Sequence, residues 1–219
     1  MLGMKLSREH LNAAATATFE HTATELAKGG EPARCAALCR RLNRAIGDEV
    51  ATMTNAGAAI ACAVGCDYCC HLRVGVFPHE AVALHEHLRT RISPADAAVI
   101  AQRIRANAQR IDSLSVEQHR AAGIPCAFLV ERRCSAHEAR PSACATHHSL
   151  SRERCEHAFR HPADIGTPRG SRPALLDLQV FGSALIEATQ AGCKAAGRSG
   201  EQVELHQAMR ALLERDEHT

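Results

Sequence analysis

The residues most able to do chemistry are cysteines, eleven in a chain of 219. The first group reads Cys62-Ala-Val-Gly-Cys66-Asp-Tyr-Cys69-Cys70-His71, four thiols in nine residues. Two cysteines separated by two residues can wrap one metal ion, because the short loop lets both sulfurs converge. Cys66 and Cys69 meet that condition, and Gly65 relieves the backbone where the loop must fold tightly. Adjacent Cys69 and Cys70 are expected to face different ways, one into the site and the other toward a second metal or the core. The second group, Cys126, Cys134, Cys144 and Cys155, is widely spaced, so its thiols need the fold to bring them together. A site joining both groups would close a long loop through the middle of the chain, and metal binding would then be folding energy.

The composition narrows the setting of this chemistry. The net charge of +2 and the interspersed acids and bases give no basic arm for nucleic acid and no charged face for a membrane. The start of the chain carries Glu20, Glu25, His10 and His21 and lacks a long apolar core, so it does not read as a secretory signal. The most apolar stretch, Ala58 to Val64, is too short to span a bilayer. The expected compartment is therefore the reducing cytosol, where clustered cysteines favour metal or redox chemistry over disulfides.

The elements that must position the thiols read as helices. Hydrophobic residues make up 46% of the chain but aromatics only 3%, so the core is built of small aliphatic side chains suited to helix packing. Ser7 caps a helix to about Lys28, stopped by Gly29-Gly30. A second follows Pro32, with Leu38, Leu42, Ile46, Val50 and Met53 on one face. Leu72 to Phe77 alternates as a short strand or β-hairpin element, Pro78 with Glu80 opens a helix, and Ser93-Pro94-Ala95-Asp96 opens another. Gly123 to His161 reads as loop around one short helix near Arg140-Pro141. Gly166 to Pro173 reads as a linker, and helices follow near Ala174–Ala195 and Glu201–Glu214.

The motifs carry a resemblance. Cys62-x3-Cys66-x2-Cys69-Cys70-His71, with Val74, Val76 and Glu80-Ala81 behind it, resembles the opening of the YkgJ-type cysteine-cluster family, described as a zinc- or iron-chelating domain. That family's second half is matched by Pro125-Cys126-Ala-Phe128-Leu129, Cys134 and Arg140-Pro141-Ser-Ala-Cys144; Cys155 fits a pattern seen in part of the family. Ala127 and Ala145 depart from the usual Pro and Arg, and neither departure removes a thiol. The resemblance implies metal binding and no particular reaction. A related cysteine cluster in flagellin lysine methylases is associated with an iron–sulfur cluster. Cys62-x3-Cys66-x-Tyr68-Cys69 is also similar to the cluster motif of radical S-adenosylmethionine enzymes. Those place it after the first strand of a β/α barrel, whereas helices precede Cys62 here.

Other chemistry-bearing residues have plainer readings. Cys35 and Cys39 lie one helical turn apart and read as buried hydrophobes, and Cys193 as a bystander. His71, His147, His148 and His157 flank the cysteines but are outnumbered as ligands by eight thiols. His85 and His87 read as a solvated helix face, Tyr68 as packing. Arg140 reads either as the partner of an acid holding the second group or as a surface helix start. No Gly-rich phosphate loop, nucleophile elbow or His-Glu-x-x-His motif is present in the sequence.

These readings converge on a mostly α protein: one domain over residues 1–219, with a cysteine-cluster core at 58–160 flanked by helices within 5–56 and 172–216. The expected ligands are Cys62, Cys66, Cys69, Cys70, Cys126, Cys134, Cys144 and Cys155, holding zinc or an iron–sulfur cluster of the 4Fe–4S kind. Three function classes stay open: a redox or modification enzyme, a structural zinc module and a metal-handling protein. A pocket beside the metal would mark the first, closed four-thiolate coordination the second and an exposed exchangeable site the third.

Overall fold

Helix start signals in the sequence are used in three dimensions almost one for one. The computed structural model describes residues 6–164, 167–168 and 173–218. Ser7 Oγ accepts the His10 N–H at 3.1 Å and opens α1 (Arg8–Ala27). Pro32 occupies the first turn of α2 (Pro32–Asn55). A two-residue strand, β1 (Gly75–Val76), leads into α3 (Pro78–Thr90), and Ser93 caps α4 (Pro94–Asp112). A short α5 (Val116–Ala121) is opened by a capping box between Ser115 and Gln118.

The cysteine-rich stretch is more structured than its sequence pattern predicts. It holds a hairpin of β2 (Leu129–Val130) and β3 (Arg133–Cys134), then α6 (Ser142–Ala145) and α7 (Arg152–Arg160). β2, β3 and α6 span only two to four residues, too short to show a periodicity, and α7 carries only Cys155, Ala158 and Phe159 as apolar residues, which is why the sequence reads as loop. The chain ends in α8 (Leu176–Ala195), β4 (Val203–Glu204) and α9 (Leu205–Asp216). The expected linker at Gly166–Pro173 lies largely outside the described residues.

The strand expected at Leu72–Phe77 shrinks to Gly75–Val76, and it is not half of a local hairpin. Its partner is β4, paired antiparallel as Gly75↔Glu204 and Val76↔Val203, and Leu205 N–H donates to Val74 O at 3.0 Å. The stretch leaving the first cysteine group is thereby pinned to the start of the last helix.

Three apolar clusters hold the helices. Leu84, Leu88, Ile100, Ile104 and Met209 join α3, α4 and α9, with Phe128, directly before the hairpin, among them. Leu42, Ile46, Phe181 and Leu185 join α2 to α8 and cover Ala145 of α6. Cys35, Cys39 and Cys193 sit with Leu26, Leu38 and Ala83 in the third, as expected for small hydrophobes. Each large aliphatic side chain buried this way contributes about 1.5–3 kcal/mol. Gly182 lets α8 approach Thr146, directly after α6: a Cβ there would lie 2.7 Å from Thr146 Cβ. No helix among the described residues is long and apolar enough to cross a membrane.

Candidate metal centre

The first cysteine group is built on a turn. Cys66 N–H donates to Ala63 O at 3.0 Å, and Gly65 takes φ +85°, a left-handed conformation that side chains disfavour. A 3-10 turn, Tyr68–His71, then carries Cys69 and Cys70. α7 packs across that turn through Phe159, whose ring lies 5.7 Å from Tyr68 and 4.6 Å from His71. The same helix carries Cys155. Ser149, just before α7, closes the arrangement: it accepts the Ala61 N–H at 2.8 Å, and its own N–H donates to Cys62 Sγ at 3.4 Å.

The second group meets the first through backbone. Cys126 N–H donates to Cys70 O at 2.7 Å. The Pro125–Ala127 loop is clamped from behind, because Asn107 Nδ2 donates to Pro125 O at 2.8 Å and Ala127 N–H donates to His206 Nε2 at 3.2 Å. His206 Nδ1–H in turn donates to Glu204 Oε1 at 2.9 Å, so the carboxylate fixes the ring with Nε2 as the acceptor. Cys134 is presented by the hairpin, whose turn residues Glu131 and Arg132 both have positive φ, 47° and 62°. Arg132 pairs with Asp67 at 3.1 Å, tying this hairpin to the first loop. Cys144 rides on α6, whose first N–H, at Ser142, donates to the buried Glu80 carboxylate at 2.7 Å.

The eight thiols thus fall into two adjoining neighbourhoods. Cys62 lies within electrostatic reach of Cys66, Cys69 and Cys155, and Cys66 of Cys69 and Cys155. Cys70 lies within reach of Cys69, Cys126 and Cys134, and Cys144 of Cys126, Cys134 and Cys69. Cys69 is common to both. Among the described residues, no three His, Cys, Asp or Glu side chains are closed to a finished metal cage, so these are neighbourhoods rather than coordination shells. Cys62 is exposed and Cys155 buried, with the other six between.

Six of the thiols share one electrostatic trait. Burial pushes Cys62, Cys66 and Cys134 upward, raises Cys144 well above the ordinary thiol value and pushes Cys126 up to about 12. Cys70 is raised first by its hydrogen bond with Cys69 and then by burial. In each of these six, neighbouring thiols add to the rise, since one thiolate disfavours the next. A cation reverses that logic: it stabilises several thiolates at once and displaces their protons. All eleven cysteines are free, leaving the donor set intact. Soft thiolates in groups of four suit zinc or an iron–sulfur cluster.

The flanking residues take other roles. His71 Nδ1 faces Asp67 O at 3.1 Å, and His157 Nε2 meets Asp164 at 2.8 Å. Among the described residues Arg140 has no acid partner; its Nη1–H donates to His137 Nε2 at 3.0 Å, and Glu80 does the anchoring instead. His85 and His87 are not a solvated face. His85 is buried and faces Asp216 at 3.2 Å, while His87 Nε2–H donates to Ser135 O at 3.0 Å, beside Cys134. The anchors Glu80, Asn107, Ser149, Glu204 and His206 escape sequence reasoning. Glu80 shows as a helix start signal and within the motif but not as an anchor; Asn107, Ser149 and His206 reach partners at least 18 positions away, and Glu204 acts through His206, two positions on.

Residues 61–163, which contain all eight thiols, match the model of a family, CxxCxxCC, whose description is "Putative zinc- or iron-chelating domain". No curated protein and no solved structure matches the chain.

Proposed function

We propose, since residues 61–163 match this zinc- or iron-chelating family, that the chain holds an iron–sulfur centre through Cys62, Cys66, Cys69, Cys70, Cys126, Cys134, Cys144 and Cys155. The observation that carries the reading is the gathering of these thiols into two groups joined at Cys69-Cys70. Cys62, Cys66 and Cys155 with Cys69 form the outer set, and Cys70, Cys126, Cys134 and Cys144 the inner. Four thiolates serve either a tetrahedral zinc or a cubane cluster, and the resemblance to the cluster of flagellin lysine methylases favours the latter. Such a cluster, when bound, supplies one-electron redox chemistry. The chain's own residues do the rest: Glu80, the Glu204–His206 pair and Ser149 hold the segments, and burial on the core side limits water at the inner thiols.

The outer edge is open, with Cys62 exposed and Val64 83% exposed beside it. That exposure suits exchange of electrons with a partner protein. It equally favours a second reading, a metal-handling protein that loads and releases its ion at the surface. The test is bound metal per chain and the visible spectrum across single Cys→Ser variants purified without oxygen. Loss of metal and colour on changing Cys66 or Cys69 in one group, and Cys126 or Cys144 in the other, supports a thiolate centre spanning both. Full retention in a Cys66→Ser, Cys69→Ser double variant overturns it.

A further inference from the structure

Helices α1 and α2 leave a cavity between them. α1 lies chiefly along α8 and α2 along α3, while Ala14, Ala17 and Ala45 face the α1–α2 seam. Helices that lean on different neighbours, with small side chains between them, do not close. The gap has a volume of about 260 Å³, and no cysteine lines it. That is near the lower edge of the roughly 300–1,000 Å³ typical of drug-sized ligand pockets.

Its lining is graded from charged to neutral. Arg41 and Arg44 stand exposed at the rim, and neither makes an ion pair or hydrogen bond among the described residues. Asp48 shares the rim, so two guanidiniums face one carboxylate there. Leu38 and Leu42 form an apolar wall. Thr22 and His79 lie inside, 1% and 5% exposed. His79 Nδ1 is engaged by Cys193 Sγ at 3.6 Å, whereas among the described residues neither His79 Nε2 nor Thr22 Oγ1 has a hydrogen-bond partner. Burial lowers His79 to about 4, so near neutral pH its ring is uncharged.

We infer that this cavity binds a small monocarboxylate with a compact apolar body and an oxygen at its far end. The carboxylate lies at Arg41 and Arg44, the body against Leu38 and Leu42, and the far oxygen at His79 Nε2 and Thr22 Oγ1. The net positive rim disfavours cationic ligands. A second charge at the floor would be buried without a counter-charge, which excludes dicarboxylates of this length. The volume excludes nucleotides. None of these arguments involves the cysteine centre.

The test is calorimetric titration of the full, metal-loaded protein with 4-hydroxybenzoate, benzoate and 4-hydroxybenzamide, alongside NMR of the histidine ring nitrogens. Saturable binding of one 4-hydroxybenzoate per chain that shifts the His79 ring signals is expected. Benzoate should bind more weakly, and the uncharged amide weaker by roughly tenfold or more, the scale of a lost charge-assisted contact. An Arg41→Ala, Arg44→Ala double variant should show the same loss with an unchanged melting temperature, since both side chains are exposed. Ala17→Leu, which adds bulk at the cavity's lining, should weaken binding. Absence of saturable binding by both acids, equal affinity for the amide, or wild-type affinity in the arginine double variant overturns the inference.

Discussion

Glu80 of α3 accepts the backbone N–H of Ser142 at 2.7 Å, across 62 positions of sequence, with Glu80 only 2% exposed. Its other oxygen accepts the Phe77 N–H at 2.9 Å, so one buried carboxyl joins the start of α3 to the start of the helix carrying Cys144. Burial raises Glu80 above its ordinary value of 4.5, against the pull of these hydrogen bonds. A raised acid binds its proton more tightly folded than unfolded. Its contribution is therefore full below the ordinary value and is lost as pH rises through the folded value. Glu80→Gln keeps one acceptor oxygen but turns an amide N–H₂ toward a backbone N–H, a loss of about 1–3 kcal/mol. Urea unfolding should show that cost largest near the ordinary glutamate value and shrinking as pH rises. A cost that grows with pH would contradict this account.

Glu204 behaves in the opposite sense. Burial alone would raise it, but the hydrogen bond of His206 and the Gln207 N–H lead the interactions that outweigh burial and lower it. A lowered carboxylate contributes stability above its ordinary value that is lost as pH falls through the folded value. Glu204→Gln should cost about 1–3 kcal/mol at neutral pH, with the difference from wild type closing toward acid. Unfolding curves for the Glu80 and Glu204 variants should thus have opposite pH trends. Parallel trends would sink the assignment of one or both.

Cys35, Cys39 and Cys193 lie in the apolar core, and they are expected to be dispensable for metal. All three are buried in one apolar cluster, and burial pushes their thiols up, Cys39 well above the ordinary value. Changing each to Ala should leave metal per chain unchanged and cost on the order of 1 kcal/mol, the scale of a small buried group removed. Alkylation of native protein at pH 8 should leave them untouched. Stoichiometric metal loss in any of these variants would move the centre toward α2.

Metal should order the outer group more than the inner. The sequence pattern suggests that all of Gly123–His161 buries poorly, yet Ala127, Phe128, Ala136 and Ala139 sit in the core with α3, α4 and α9. Ala58–His71 and Arg152–Arg160 have less to hold them, since Val64 is exposed and α7 buries only Cys155 and Ala158. Coordination can supply several kcal/mol or more, judged from the ~10–16 kcal/mol apparent for zinc-finger peptides. Chelation followed by amide exchange should loosen Ala58–His71 and Arg152–Arg160 first, and leave Phe128–Ala139 protected. Uniform protection with and without metal would mean that the fold does not depend on the ion.

The long helices were legible because each carries its own start signal and apolar face: Ser7, Pro32, Ser93 and the Leu38–Leu42–Ile46 stripe all appear where the spacing puts them. The two-residue strands were not, because a pairing such as Val76↔Val203 is decided by tertiary context. The thiols were legible as a set from residue type and spacing. Their division into two neighbourhoods was not, since it depends on Ser149 bringing Cys62 toward α7 and on Cys70 O receiving the Cys126 N–H. The anchoring role weighed for Arg140 belongs to Glu80, since a carboxyl group has two oxygens to accept the N–H groups at two helix starts, whereas a guanidinium can only donate.

The central claim, a metal centre held by thiolates of residues 61–163, is tested most directly by elemental analysis with a visible absorption spectrum on the full chain purified without oxygen. The account predicts iron with matching acid-labile sulfide, a broad charge-transfer band that bleaches on reduction, and loss of both on acidification as the thiolates take up protons. Zinc in place of iron would keep the thiolate centre and remove the redox reading. Protein that is fully folded, colourless and free of stoichiometric iron or zinc when first isolated would contradict the claim itself.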